Sequence, residues 1–336
     1  MLFFKYIFYP LLILSSIISI SASSWMMAWM GLEMNLLSMI PLMKNNKSFS
    51  TESLIKYFMV QTISSMILLF SLITLPNLEN FVMMFNYETP MNLIMMSTLM
   101  MKMGAAPFHI WLPEVISGLN WNITYLMLTW QKLAPMILLM NIKLNMMLMI
   151  NIILMSSMIG SIMSFNQICL KKLLTFSSIN HMSWLLAALL NSLSNWIIYF
   201  LIYCIINLNI IIFLNKYNIT HTYQLTKMFS MNKQLKMLFM MNFMSLGGLP
   251  PFLGFIPKWL TINQLINNNY YFITLFFIIN SLLTLYVYLR LSFSSWIILT
   301  SEMNLLKNKS INYFTISNMF MLMFSLLMYP IIFIMN

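Results

Sequence analysis

Apolar stretches of about 18 residues or more, the length at which a helix can cross a bilayer, recur from one end of this chain to the other. That recurrence predicts an all-α polytopic membrane protein. Composition agrees: of 336 residues, 61% are hydrophobic and 7% charged. A soluble domain carries about 25% charged residues. Aqueous enzyme domains, secreted disulfide scaffolds and nucleic-acid binders are therefore excluded. The formal charge of +11 does not point to nucleic acid, because the lysines are scattered through short loops. In a membrane protein such scatter reports orientation.

Polar clusters divide the chain into eleven spans, near residues 4–22, 25–42, 53–74, 91–115, 121–140, 145–165, 173–190, 194–214, 237–265, 270–294 and 312–334. Residues 1–336 form a single membrane domain, since the longest polar loop, 215–236, is too short to fold alone. Lys5, the apolar stretch after it and Ser21-Ala22-Ser23 resemble a secretory signal peptide. With further spans following, the segment reads as a retained first helix. If the N-terminus lies inside, the inner loops collect Lys5, Lys44, Lys47, Lys56, Lys171, Lys172, Lys216, Lys227, Lys233, Lys236, Arg290, Lys307 and Lys309. The outer loops then hold only Lys143, with Glu79 and Glu88. This is a positive-inside bias, and it places the C-terminus outside.

Two segments match in register. One is Gly104-Ala-Ala-Pro107-Phe-His-Ile-Trp-Leu-Pro113-Glu114, the other Gly248-Leu-Pro250-Pro251-Phe-Leu-Gly-Phe-Ile-Pro257-Lys258. Glycine and prolines inside a span leave backbone groups without helical partners, so a discontinuous helix is expected near 102–114 and another near 247–258. The first lies in the fourth span and the second in the ninth. An odd offset means that the copies cross the membrane in opposite directions, as in inverted-repeat transporters. The repeat units would be about 91–214 and, truncated, about 237–334.

Glu33, Lys102, Lys132 and Lys258 lie inside spans. An unpaired charge at mid-bilayer costs about 2.5–3.5 kcal/mol on insertion scales. Four would cost on the order of 10 kcal/mol, comparable with a whole folding margin. They must point inward to partners or water. A lysine near a glutamate can change charge when the pair is pulled apart, which is the physical basis of proton transfer through a dry membrane. Structural ion pairs and snorkelling are the competing readings, and snorkelling suits Lys56 and Lys143. His109 follows Lys102 by seven residues and would share its face in a regular helix. His181, preceded by Ser177 and Ser178, is a second relay candidate, while His221 falls in the polar loop. Polar stripes at helical spacing, through Ser157, Ser161 and Ser164 and through Tyr199, Tyr203 and Asn207, support a wet interior. Such stripes also serve as interhelical hydrogen-bond glue.

Cys169 and Cys204 form no CxxC pair, and no Walker loop or strand-borne GxGxxG is present. If the chain belongs to a redox enzyme, the redox centre lies elsewhere; no cofactor or metal site is expected here. Asp is absent, Arg occurs once and Met 39 times. That bias reads as AT-rich coding, with adaptable Met replacing Leu and Ile, and hints at a mitochondrial genome.

At these residues the sequence resembles the antiporter-like membrane subunits of respiratory complex I, the mitochondrial NADH–ubiquinone oxidoreductase. The resemblance is carried by Trp29-Met-Gly-Leu-Glu33-Met-Asn35, Thr51-Glu-Ser-Leu-Ile-Lys56-Tyr-Phe, Lys102-Met-Gly through Glu114, Thr129-Trp-Gln-Lys132-Leu-Ala-Pro135, Phe176-Ser-Ser-Ile-Asn-His181-Met and Gly247-Gly through Lys258-Trp. These cover most of the chain in the expected order, and its Met-rich, Asp-free style is similar to insect mitochondrial products. The resemblance implies a core subunit that couples electron transfer from NADH to ubiquinone with proton translocation across the mitochondrial inner membrane. NAD, FMN, iron–sulfur clusters and ubiquinone would be held by other subunits. It implies antiporter-like chain 4 on one side, small membrane chains 4L and 6 on the other, bound cardiolipin, no nucleic acid, and an N-terminus in the matrix. It assigns Glu33 and Lys102 as a coupled pair, Lys132 as central carrier and Lys258 as terminal site. In the wider family the paired glutamate sits on a different helix, so Glu33 would substitute for it. A stand-alone cation–proton antiporter and a structural scaffold are the alternatives.

Overall fold

The computed structural model describes residues 2–44, 48–82, 90–228 and 233–297. The described residues are helical apart from connections and one isolated bridge, Cys169 to His221. The chain divides into two compact units, Met1–Met155 and Ser156–Asn336.

In the first unit lie α1 (Leu2–Ser21), α2 (Trp25–Met43), α3 (Ser48–Val82), α4 (Pro90–Met103), α5 (Trp111–Gly118), α6 (Trp121–Leu128) and α7 (Trp130–Met140). Helix α8 (Met146–Ser164) runs through the boundary. The second unit holds α9 (Leu170–Asn191), α10 (Leu193–Tyr217), α11 (Thr222–Met228), α12 (Lys233–Gly247), α13 (Phe255–Asn267) and α14 (Tyr271–Ile297).

Among the described residues, seven helices or helix pairs are long and apolar enough to cross a membrane: Trp25–Met43, Ser48–Thr74, Trp121–Met140, Met146–Ser164, Leu170–Asn191, Leu193–Tyr217 and Tyr271–Phe293. Each coincides with an expected span. The first expected span is a shorter apolar helix, Lys5–Ile20. The fourth and ninth are each split into two helices, and the eleventh, 312–334, lies outside the described residues. Exposed positions carry large apolar side chains, among them Leu14, Met66, Phe70, Leu201, Phe272 and Leu282. A water-soluble surface would not show so many; a lipid-facing one does.

Inside each unit the helices pack closely through small residues. A Cβ on Gly31 of α2 would lie 2.7 Å from the Ser19 nitrogen of α1, so only glycine permits this approach. In the second unit a Cβ on Gly160 of α8 would lie 2.6 Å from the Asn180 nitrogen of α9. Helix α9 has polar and apolar residues buried along nearly its whole length. The serine stripe of α8 meets α14 there: Asn280 Nδ2 donates to Ser157 Oγ at 3.1 Å. That stripe is interhelical glue.

Candidate functional site

Both broken helices end in the same way. At the end of α4, Gly104 has φ +72°; its N–H donates to the Met101 carbonyl and Ala105 N–H to that of Met100, at 3.2 and 3.1 Å. At the end of α12, Gly248 has φ +80°; its N–H donates to Ser245 and Leu249 N–H to Met244, at 3.1 and 3.4 Å. These are Schellman ends, with glycine in the left-handed region that side chains disfavour. Pro107, Pro250 and Pro251 lie in the connections that follow. Pro113 and Pro257 each stand third in the helix that restarts, α5 or α13. A first-turn N–H has no helical partner anyway, so these two prolines are compatible with the restart rather than causing the break.

A helix end leaves carbonyls open, and each unit closes them with side chains. In the first, Gln61 Nε2 of α3 donates to the Lys102 carbonyl at 3.3 Å, and the Trp111 indole donates to Met101 at 3.2 Å. In the second, the Lys258 ammonium itself donates to the Leu246 and Gly247 carbonyls at 3.2 and 2.9 Å. It stands 5.7 Å from the centre of the Trp184 ring, within cation–π range. A positive group is favoured at a helix C-terminus. Glu114, which occupies the register of Lys258 in the first copy, faces outward and pairs with Lys56 at 2.8 Å; Lys56 also meets Glu52 at 2.8 Å. Lys56 is thus held by carboxylates rather than snorkelling alone, whereas Lys143 is exposed.

The three expected lysines are buried: Lys102 is 5% exposed, Lys132 1% and Lys258 5%. Lys102 borders a pocket of about 10 Å³ lined also by Leu32, Asn35, Leu36, Tyr57, Gln61, Gln131 and Pro135. Its size and polarity suit roughly one water molecule. Gln131 donates to the Asn35 side-chain oxygen across it at 2.9 Å. Glu33, on α2, does not line this pocket and makes no direct ion pair with Lys102, although it is near enough to act on Lys102 and Tyr57 through space. One of its carboxylate oxygens is buried without a hydrogen-bond partner.

Lys132 lies just after an interruption that the spans did not predict. Helix α6 gives way to α7 at Thr129, where φ is −118° and ψ −71°. Pro135, inside α7, offers no N–H to the Gln131 carbonyl four residues back, so the helix that restarts is short of a backbone bond in its first turns. His109 is not brought to Lys102. The break at Gly104 removes the regular spacing that would align them, and the partly exposed ring lies with Nδ1 3.2 Å from the Pro107 carbonyl.

In the second unit His181 of α9 is 6% exposed, its Nδ1 2.9 Å from the Tyr199 hydroxyl of α10. The Tyr203 ring lies 5.2 Å from it. His221 is held by the bridge to Cys169 and stacks on Tyr223, so it is more than a solvated loop residue. Tyr57, Gln61, Asn35 and Gln131 were not singled out as site residues from sequence. The available signal was weak: Tyr57 and Gln61 four residues apart in an apolar span, and Asn35 and Gln131 beside the charged positions.

Comparison with known proteins places this architecture. Residues 22–284 match the NADH:quinone oxidoreductase/Mrp antiporter transmembrane family. The chain is 45% identical over 290 residues to NADH-ubiquinone oxidoreductase chain 2 of Anopheles gambiae, covering 86% of this chain and 84% of that one. It is 34% identical over 302 residues to that of Bos taurus, covering 89% and 87%. A chain of respiratory complex I from Thermus thermophilus superposes with a TM-score of 0.82 at 20% identity, over 96% of this chain and 77% of that one. A chain of the Mrp complex from Dietzia gives 0.71 at 15% identity, over 84% and 58%. The chain belongs to the NADH-ubiquinone oxidoreductase chain 2 family.

Proposed function

We propose that this chain is a core membrane subunit of respiratory complex I that moves protons through buried Glu33, Lys102, Lys132 and Lys258, with His109 and His181 as relays. Electron transfer from NADH to ubiquinone, on cofactors held by other subunits, supplies the free energy. The observation that carries the reading is the burial of three lysines beside helix interruptions. A lysine kept inside the membrane is costly and by default marks a functional site, and each interruption supplies backbone polar groups where a regular helix would offer none.

Within this reading Lys102 faces a polar pocket through which a proton can pass to or from water, and Glu33 biases its charge from a short distance. Lys258 rests on the open end of α12 and holds those carbonyls more weakly when it gives up its proton. The matched Schellman ends and the matched proline register support two repeat units, about 91–214 and 237–334, inserted in opposite directions. The chain would lie in the mitochondrial inner membrane, N-terminus in the matrix and C-terminus in the intermembrane space. Its neighbours would be antiporter-like chain 4 and small chains 4L and 6, with cardiolipin at the lipid face.

Replacing Lys132 by Met in the assembled complex tests this. Buried charges can often be exchanged for apolar groups without loss of stability, so assembly should survive while proton translocation falls away. Assembled mutant complex that pumps fully would overturn the proposal. The likeness to an Mrp complex chain keeps a second reading in view, a cation–proton antiporter needing no redox partner. Sodium–proton exchange by the purified chain in liposomes would favour that reading; the proposal expects none.

A further inference from the structure

The tyrosine stripe of α10 is not used by the lysine chemistry, and its placement gives it a part to play at His181. Ser177, His181 and Trp184 lie on one face of α9, at spacings of four and three residues. Tyr199 of α10 reaches that face with its hydroxyl 2.9 Å from His181 Nδ1. Tyr203 packs its ring against the same imidazole and hydrogen-bonds Ser178 and Asn207. Tyr288 of α14 hydrogen-bonds Ser177. Both His181 and Tyr199 are buried, at 6% and 1% exposure, so their bond is not one that water could replace at no cost.

A histidine relays a proton through one ring nitrogen while the other is held, and the bond made by the held nitrogen selects the tautomer. We propose that Tyr199 is the positioning residue for proton transfer at His181, its hydroxyl oxygen accepting from Nδ1–H and leaving Nε2 as the exchanging atom. In the neutral ring Nε2 carries no proton. A proton arrives there to give the imidazolium and departs from there again, while the Nδ1–H···O bond persists in both charge states. Tyr199 keeps its own proton throughout. Without that oxygen the buried Nδ1–H loses this acceptor, which favours the opposite tautomer and closes Nε2 to protonation.

The inference rests on the reading of His181 as a relay, and the experiment separates the two. Tyr199→Phe, His181→Gln and the double variant are made in the whole assembled complex. Complex content is measured on native gels, and the rate of proton translocation coupled to NADH oxidation in vesicles. Both single variants should assemble and lose about ten-fold or more in the rate of coupled proton transfer, and the double variant should be no worse than His181→Gln alone. Tyr199→Gln, which returns an acceptor oxygen, should recover part of what Phe loses. Normal pumping by His181→Gln would remove the relay reading itself. Loss in His181→Gln with normal pumping in Tyr199→Phe would overturn the role of Tyr199 alone. So would additive losses in the double variant, or loss in Tyr199→Gln beside normal pumping in Tyr199→Phe, which would mean that the tyrosine ring matters only for packing.

Discussion

Replacing Gly248 by alanine should disturb more than a backbone angle. At φ +80° an L-residue costs about 1–2 kcal/mol. The new Cβ would also stand 2.8 Å from Lys258 Cδ and 3.1 Å from its Nζ, so the side chain must withdraw. It then gives up hydrogen bonds to the Leu246 and Gly247 carbonyls. A hydrogen bond to a charged group is worth about 1.5–3 kcal/mol; with one net bond lost, the total is about 2.5–5 kcal/mol. Gly104→Ala is the control. Its φ is +72°, but the Cβ meets Leu112 and Trp111 side chains, not a charged group, so the backbone term of about 1–2 kcal/mol dominates. Hydrogen exchange in the assembled complex, read by mass spectrometry on peptides covering each helix end, compares the two. At tenfold per 1.4 kcal/mol, exchange should quicken roughly a hundred-fold to a few thousand-fold at the end of α12, and roughly 5- to 30-fold at the end of α4. Equal acceleration at both ends would refute the idea that Lys258 holds the α12 terminus.

Two further substitutions test packing away from the proposed proton path. Asn280→Leu removes the bond from α14 to Ser157; interhelical bonds in membranes average about 0.6 kcal/mol and reach about 1.7. The thermal midpoint of the complex should fall slightly while pumping is unchanged. Gly160→Ala drives a methyl group to 2.6 Å from the backbone nitrogen of Asn180, where no flexible side chain can yield. Overpacking of this kind costs about 1–3 kcal/mol, so the yield of assembled complex on a native gel should drop.

What could be read in the sequence was what local chemistry decides. Span positions follow from hydropathy, and the two main interruptions follow from Gly104 with Pro107 and from Gly248 with Pro250 and Pro251. The burial of Lys102, Lys132 and Lys258 follows from the cost of a charge in lipid. What stayed hidden depends on the chain folding back on itself. The partners of Lys258 are two main-chain carbonyls, which no side-chain pattern announces. The pocket beside Lys102 is assembled from amides on three other helices, each unremarked in its own span. His109 was aligned with Lys102 by helical spacing, which fails as soon as the helix stops between them. The interruption before Lys132 stayed hidden because hydropathy runs through it without a gap.

The most direct test is a high-resolution density map of the assembled complex. It should show ordered water within about 2.7–3.2 Å of the Lys102 ammonium, between Asn35, Tyr57, Gln61 and Gln131, and no direct carboxylate contact. Dry side-chain packing around that ammonium, or its head turned out to the lipid surface, would contradict proton passage through this chain.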